Sequence, residues 1–321
     1  MENNTNTLEK EYYTVKTHKK ILASFIDLFL FIFSIAIIFS LINIGYQNID
    51  GPYKNSVLEN KALRIESKLY NENDILITDE VDSSSTMTYQ QKKNELSYIL
   101  EYFYSSSTFF SSNEGKQIYE TRKKEAISDN QALFALKDNV YEEIETISPE
   151  KYYDFYKDEI ENHALVYLNN NEKYVKNEQR IFLILFLTIL IISVFVYFIY
   201  YVLLPLTCFK RGRQTLGMKL FKFSLISVNA LNVKTSKFLL RTVFNFFVMY
   251  LLNIFSFFIP SLISLAMLFF SQRKQNLTNY IFNDYFVDTS VDDIYLNFYE
   301  YLDKNEFDHQ TKINDKNLKM H

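Results

Sequence analysis

The chain has no tryptophan, one cysteine, four prolines and five glycines in 321 residues. Cys208 standing alone excludes an intramolecular disulfide and any cysteine-built zinc centre. The scarcity of proline, glycine and tryptophan beside abundant Asn, Lys, Ile, Phe and Tyr reads as AT-rich coding bias rather than as chemistry. Basic surplus is missing too: the formal net charge is -4, which gives no footprint for nucleic acid. Catalytic constellations are equally absent, with four histidines in the whole chain and no Ser/His/Asp set or paired carboxylates in the apolar segments. We therefore expect no enzyme, no cofactor and no bound metal.

Long apolar runs with charge at their edges are what the chain does have: Ile21 to Gly45, Ile181 to Thr207 and Phe238 to Phe270. A hydrocarbon core of about 30 Å takes about 20 apolar helical residues, and each of the first two runs supplies that length with Asp27 as the single acid. The first run follows Lys16, Lys19 and Lys20 like a signal peptide, but it is longer than a cleavable apolar region and no small-residue cleavage site follows it, so it reads as a signal anchor. The mean hydropathy of only -0.11 reflects the polar stretch 46–180, long enough to hold a core of its own.

Orientation follows from the bases beside the runs. Segment 208–237 carries Lys210, Arg211, Arg213, Lys219, Lys222, Lys234 and Lys237 without one Asp or Glu, which marks it as cytoplasmic. Two crossings precede it, so the N-terminus is cytoplasmic as well and 46–180 lies outside. The third run is long for one crossing and short for two, and bases flank both its ends, Lys234 and Lys237 before and Arg273 and Lys274 after. It is expected to leave and return as a tight hairpin that turns near Asn253 to Pro260, with the proline opening the second arm. One tilted, kinked helix is the competing arrangement. The expected fold is thus an all-α integral membrane protein of the cell membrane with about four transmembrane helices: cytoplasmic 1–20, helix 21–45, an extracytoplasmic helical domain 46–180, helix 181–207, a basic loop 208–237, the hairpin 238–272 and a cytoplasmic tail 273–321.

Within 46–180, apolar positions at helical spacing predict helices over 89–104, from Ile99, Tyr102 and Phe103, and over 117–147, from Ile127, Leu133, Leu136 and Val140. Ser148-Pro149-Glu150 opens another as N-cap, first-turn proline and carboxylate, running to about Leu168. Asn169 to Asn171 interrupts it, and Glu172 onward feeds into the second span. Glu72 to Met87 reads as a loop, and its Asp79, Glu80 and Asp82 lack the glycine and closing glutamate of a calcium loop. His163 and Glu159, one turn apart, read as a solvated contact. Tyr102, Tyr104, Tyr152, Tyr153 and Tyr156 read as core and rim of this domain.

Three segments carry a resemblance. Lys19-Lys20-Ile21-Leu22-Ala23-Ser24-Phe25-Ile26-Asp27 resembles the opening of the RDD family, a basic pair followed by a helix with an aspartate. Gly212-Arg213-Gln214-Thr215-Leu216-Gly217-Met218-Lys219-Leu220 closely resembles that family's loop after the second span, with Leu239-Leu240-Arg241 like the opening of its next helix and Arg273 to Val287, which contains Leu277-Thr278-Asn279, like its closing segment. The outer domain then looks like a large insertion between the first two helices. The likeness implies a membrane protein for which transport of an ion or small solute is proposed in some relatives. Two naming residues depart here: Lys20 stands for an arginine and Asn279 for an aspartate.

An unpaired carboxylate facing lipid would cost several kcal/mol, so Asp27 must face a helix interior with a partner. Arg241 is the expected partner, with Lys20 and Asn279 as further donors and Asn245 one turn beyond Arg241. Gly212, Gln214, Thr215, Gly217 and Lys219 are expected to form either a nest for an anion or lipid phosphate or a tight turn holding an amphipathic connector at the interface. Three functional classes follow: a transport component for a small ion or solute, a membrane-anchored binding or scaffold module acting through the outer domain, and, weakest, a lipid enzyme. The bilayer is the one certain partner. Four helices enclose no path alone, which points to a homo-oligomer or to other membrane proteins as partners.

Overall fold

The computed structural model describes residues 13–111, 113–128, 131–271 and 274–304. Two compact units emerge, one of residues Ile42–Thr188 and one of residues up to Leu41 together with those from Ile189 onward. Helix α1 (Thr17–Asn48) runs through the first apolar stretch and beyond both of its expected ends.

The first unit, Ile42–Thr188, continues with α2 (Pro52–Glu66), α3 (Ile77–Ser83), α4 (Tyr89–Ser105) and α5 (Glu114–Glu125). Helix α3 lies inside the stretch read as a loop, where Asp79 and Glu80 occupy the favourable first turn and Ile77 and Val81 bury. Helix α4 starts at a capping box, Thr88 accepting from the Gln91 N–H while the Gln91 side chain returns to the Thr88 N–H.

The helix expected over 117–147 stops at Glu125. Two antiparallel ribbons replace its second half: β1 (Ile127–Ser128) with β2 (Gln131–Ala132), and β3 (Phe134–Lys137) with β4 (Val140–Glu143). Lys137 pairs with Val140, so Asp138-Asn139 is a two-residue loop, and both residues have positive φ, 49° and 66°. Such a loop matches the twist of the strands, and Asp and Asn tolerate that conformation better than other non-glycine residues. Of the four residues that suggested a helix face, Leu133 is buried while Ile127, Leu136 and Val140 are exposed.

After the ribbons, α6 (Pro149–Glu159), with Pro149 in its first turn, passes through a π-helical turn (Ile160–Ala164) into α7 (Leu165–Asn169), and Asn171 then accepts from the Lys173 N–H as a new helix begins. The core packs α4 against α6, with Leu96, Leu100, Phe103, Ile160 and Leu168 fully buried. Tyr104, Tyr152, Tyr153 and Tyr156 are buried with them, and Tyr102 lies at the rim. Each of three phenols finds an acceptor: Tyr104 donates to Glu159 (2.6 Å), Tyr152 to the Leu133 carbonyl (2.6 Å) and Tyr156 to Glu143 (2.8 Å). Burial and the adjacent carboxylates push the Tyr104 and Tyr156 phenols up, so both stay protonated donors.

Glu159 is the exception to the reading of a solvated Glu159–His163 contact. It is fully buried, and it holds the Tyr104 hydroxyl and Arg122 Nε (2.9 Å) while Arg122 also reaches His163. A buried carboxylate survives only when paired in this way.

The second unit takes up the chain at Ile189, within α8 (Glu172–Tyr197), which continues through a π-helical turn (Phe198–Leu203) into α9 (Leu204–Thr207). Pro205 accounts for the widening, since its ring excludes a regular bond to the preceding turn. Both α1 and the continuous Glu172–Thr207 helix are long and apolar enough to cross a bilayer. Within this unit Ser34 of α1 and Tyr200 share a hydroxyl hydrogen bond of 3.0 Å.

The basic segment is not a simple connector. It holds α10 (Leu216–Leu220) and β5 (Phe223–Ser227). The third apolar run forms α11 (Thr235–Phe244), a π-helical turn (Asn245–Leu251), α12 (Leu252–Phe255) and, after a reversal, α13 (Ile259–Phe270). The reversal falls at Ser256 to Phe258 without glycine, and Phe257 and Phe258 both adopt left-handed φ, 50° and 64°. Asn253 secures it, accepting from the Ser261 N–H (3.1 Å) and donating to the Met249 carbonyl (2.8 Å). At 1.5 Å per residue, α13 is about 18 Å long, shorter than the hydrocarbon core. Helix α14 (Leu277–Phe282) and β6 (Asp284–Asp288) follow. Strand β6 pairs antiparallel with β5, and Thr14 bridges to Val287, so the N-terminal approach, the basic segment and the chain after α14 share one small sheet. Arg273, read as a flanking base, lies outside the described residues.

Lys19 anchors the start of α1 to that sheet through Asp288 (2.7 Å). Partial burial alone would raise the Asp288 carboxyl, but the hydrogen bonds from Lys19 and Ser290 prevail and hold it at about 2, below its ordinary 3.8. This contribution is therefore complete above pH about 4 and vanishes as the pH falls through 2. The melting temperature of Asp288→Asn should lie below that of the wild type at pH 5, and the gap should close between pH 4 and pH 2.

The Ile42–Thr188 unit has its own core, so residues 48–178 produced alone should fold. A circular dichroism spectrum dominated by helix with a minor strand component is the expected result. In that fragment Arg122→Leu should cost about 3 to 5 kcal/mol in urea unfolding, because it leaves the Glu159 carboxylate buried without its cation.

Candidate functional site

Asp27 sits on α1 in a polar cavity of about 170 Å³ lined by Lys20, Thr215, Arg213, Arg241, Asn245 and Asn276, with Tyr197 and Tyr201 on one wall. The carboxylate does not meet Arg241. Thr215 donates its hydroxyl to Oδ2 (2.5 Å) and the Gly217 N–H donates to Oδ1 (2.7 Å). Thr215 is also the N-cap of α10, accepting from the Met218 N–H (3.3 Å), so the loop presents its donors to α1 as a pre-shaped cradle. The nest foreseen for an external anion thus holds the protein's own carboxylate.

Glycine is required in that cradle by contact. A Cβ on Gly217 would lie 2.2 Å from the Ala23 carbonyl oxygen, and α1 could not approach. Gly212 answers a different need, since its φ of 82° is left-handed and a Cβ would fall 2.2 Å from Ser224 Oγ. Its N–H donates to Asn232 and its carbonyl accepts from the Leu225 N–H (2.8 Å), which fixes the loop to β5. Gln214 is buried and donates to the Phe223 carbonyl (2.8 Å). Lys219 is exposed, its ammonium 6.0 Å from the Phe209 ring centre.

Arg241 has another partner. It reaches Asp284 of β6 at 3.4 Å, and Lys237 reaches the same fully buried carboxylate at 2.6 Å. The expected Asp27–Arg241 pair fails because each side has a nearer complement: a loop of neutral donors for Asp27 and a strand carboxylate for Arg241. Lys20 donates to the Lys274 carbonyl (2.9 Å) and not to Asp27. Asn245 accepts from Thr278 (2.6 Å), which ties α14 to the third run. Asn279 is fully buried, and among the described residues neither its side-chain oxygen nor its nitrogen has a partner. Lys20, Asp27, Arg241 and Asn245 therefore line one cavity, while Asn279 stands apart as an orphaned amide.

Sequence reasoning missed Asp284, although the signal was there: an acid closely following the apolar run and its basic flank needs a basic partner. It also missed Thr215 as a ligand of Asp27, since a threonine carries no charge to advertise the contact.

Two helices are thus long and apolar enough to cross a bilayer, and the polar cluster lies beside them. The RDD family model matches residues 163–283, a little over a third of the chain. The match takes in the Gly212 to Leu220 loop, Leu239 to Arg241 and Leu277 to Asn279, whereas Lys19 to Asp27 precedes it. No curated protein and no solved structure matches the chain.

Because Asp27 and Arg241 have separate partners, their losses should add. Asp27→Asn places an amide opposite the Gly217 donor and should cost about 1 to 3 kcal/mol, Arg241→Gln a similar amount, and the double variant their sum, with no rescue of folded yield in the membrane. Gly217→Ala should reduce the yield as strongly as Asp27→Asn. Folded yield is read by size-exclusion of the detergent-extracted protein.

Proposed function

We propose that this protein is a multi-pass transport component of the cell membrane that holds a small polar solute or ion in the cavity at Asp27. The observation that carries this reading is the cavity itself: side chains that serve only to staple helices would close on each other, whereas Lys20, Arg213 and Arg241 line the same open space as Asp27 and each bonds elsewhere.

Topology on this reading has the N-terminus, the basic loop and the tail in the cytoplasm. The positive-inside distribution supports it, as does the sheet that joins Thr14, β5 and β6, since strands that hydrogen-bond lie on the same side. The third run then enters and returns to that side, and its short α13 makes the return arm re-entrant rather than a full crossing. Residues 46–180 lie outside as an insertion. One copy encloses no path, so a homo-oligomer or a partner membrane protein completes it.

Accessibility tests this. In a Cys208→Ala background, Ser24→Cys and Asn245→Cys, both on the cavity wall, should react with a membrane-impermeant thiosulfonate applied to inverted vesicles, and Asn245→Cys should react more slowly in intact cells. Absence of reaction from either face would leave only a sealed helix contact.

A further inference from the structure

The charge balance of the cavity is one-sided. Lys20, Arg213 and Arg241 line it, each no more than 9% exposed, against the single carboxylate of Asp27. Behind the wall Asp284 neutralises one base between Arg241 and Lys237, so counting that layer leaves four bases against two acids. Of these four bases, Lys20 and Arg213 are the two with no carboxylate partner among the described residues. Lys20 donates to one carbonyl, that of Lys274, and its ammonium lies 5.8 Å from the Phe286 ring centre. Arg213 donates to the Val233 carbonyl (3.4 Å) and the Thr235 hydroxyl (2.7 Å), with its guanidinium 5.7 Å from the Phe238 ring centre. Carbonyls, hydroxyls and ring faces solvate a cation in part, but burying a base without a counter-charge is expensive.

From this surplus we infer that the cavity is a receptor for one compact oxyanion, a phosphate or carboxylate group, seated among Lys20, Arg213 and Arg241. The inference rests on the cavity being a solute site and names the class of solute. A cation is the wrong occupant, because Lys20, Arg213 and Arg241 around the cavity repel it and the one carboxylate, Asp27, already shares its charge with the donors of Thr215 and Gly217. Size agrees: about 170 Å³ is the volume of five or six liquid waters, enough for a phosphate group and a few bridging waters. Donors suffice as well, since a guanidinium carries five N–H groups and the contacts of Arg213 and Arg241 use few of them.

The anion has two sources of the same chemistry. It is either free in solution or the head of an amphiphile, for an apolar groove of about 570 Å³ adjoins the polar cavity and shares Tyr197, Tyr201, Asn245 and Asn276 with it. Leu28, Phe31, Ile32 and Met249 continue the groove with surface suited to an acyl chain.

The full-length protein in a neutral detergent, followed by thermal melting, tests both. Inorganic phosphate should raise the melting temperature of the wild type saturably, where chloride at equal ionic strength does not. Lys20→Gln and Arg213→Gln should raise the half-saturating concentration about tenfold or more, the loss of one charge-assisted contact, while Lys20→Arg keeps it within about threefold. In a parallel arm, dioleoylphosphatidylglycerol is compared with dioleoylphosphatidylcholine in nanodiscs. Stabilisation by the glycerol lipid alone, lost in Lys20→Gln, identifies a lipid head; stabilisation by phosphate alone identifies a soluble anion. No stabilisation in either arm beyond the controls, or Gln variants that bind like the wild type while Lys20→Arg is folded, overturns the inference. The thiol accessibility of Ser24→Cys and Asn245→Cys is unaffected by that outcome, so the failure of the anion and the failure of the solute cavity are told apart.

Discussion

Everything in the second unit turns on one buried carboxylate. Asp27 on the first helix cannot remain bare among apolar residues, and the chain satisfies it with a backbone N–H and a hydroxyl rather than with a cation. That choice dictates the rest. The donors come from a loop that must therefore be brought against α1, Gly217 must lack a side chain for the loop to come close enough, and Thr215 must cap α10 so that the donors converge. Because the bases nearby are not consumed by Asp27, they remain to line the cavity.

A second constraint comes from the sheet. Asp284, the partner of Arg241 and Lys237, is the first residue of β6, and β6 is held by β5 and by the bridge from Thr14. The polar chemistry at the ends of the apolar helices is thus fixed by hydrogen-bonded strands, whose geometry is stiffer than that of helix ends packed on flexible side chains. Asn253 does the corresponding work at the reversal of the third run, where Phe257 and Phe258 take the left-handed positions that glycine ordinarily fills.

Much of this was legible in the sequence and some was not, for identifiable reasons. The apolar runs located the two long helices, and Ser148-Pro149 located the start of α6, because both signals are local. Asp27 was recognisable as a residue in need of a partner from its charge and setting. Its partner was not recognisable, since charge complementarity points to Arg241 whereas the actual donors are neutral. The helix expected over the ribbons at 127–143 came from four apolar residues at helical spacing, three of which are exposed; the dipeptide Asp138-Asn139 is the better signal. Strands β5 and β6 lie far apart in sequence, and their pairing has no local signature at all. Glu159 looked solvated because its true partners, Tyr104 and Arg122, come from other helices.

The sequence distance between Asp27 and its donors has a consequence for how the protein is made. Gly217 is 190 residues downstream, and at a synthesis rate of about 5 to 20 residues per second the first helix waits about 10 to 40 s before its carboxylate can be met. During that interval the whole Ile42–Thr188 unit is produced and the second long helix inserted. Insertion of α1 cannot be completed as an independent event: until the loop emerges, the aspartate has to be sheltered by water, by the insertion machinery or by a transient partner. The first helix of this chain is therefore made early and completes its environment late.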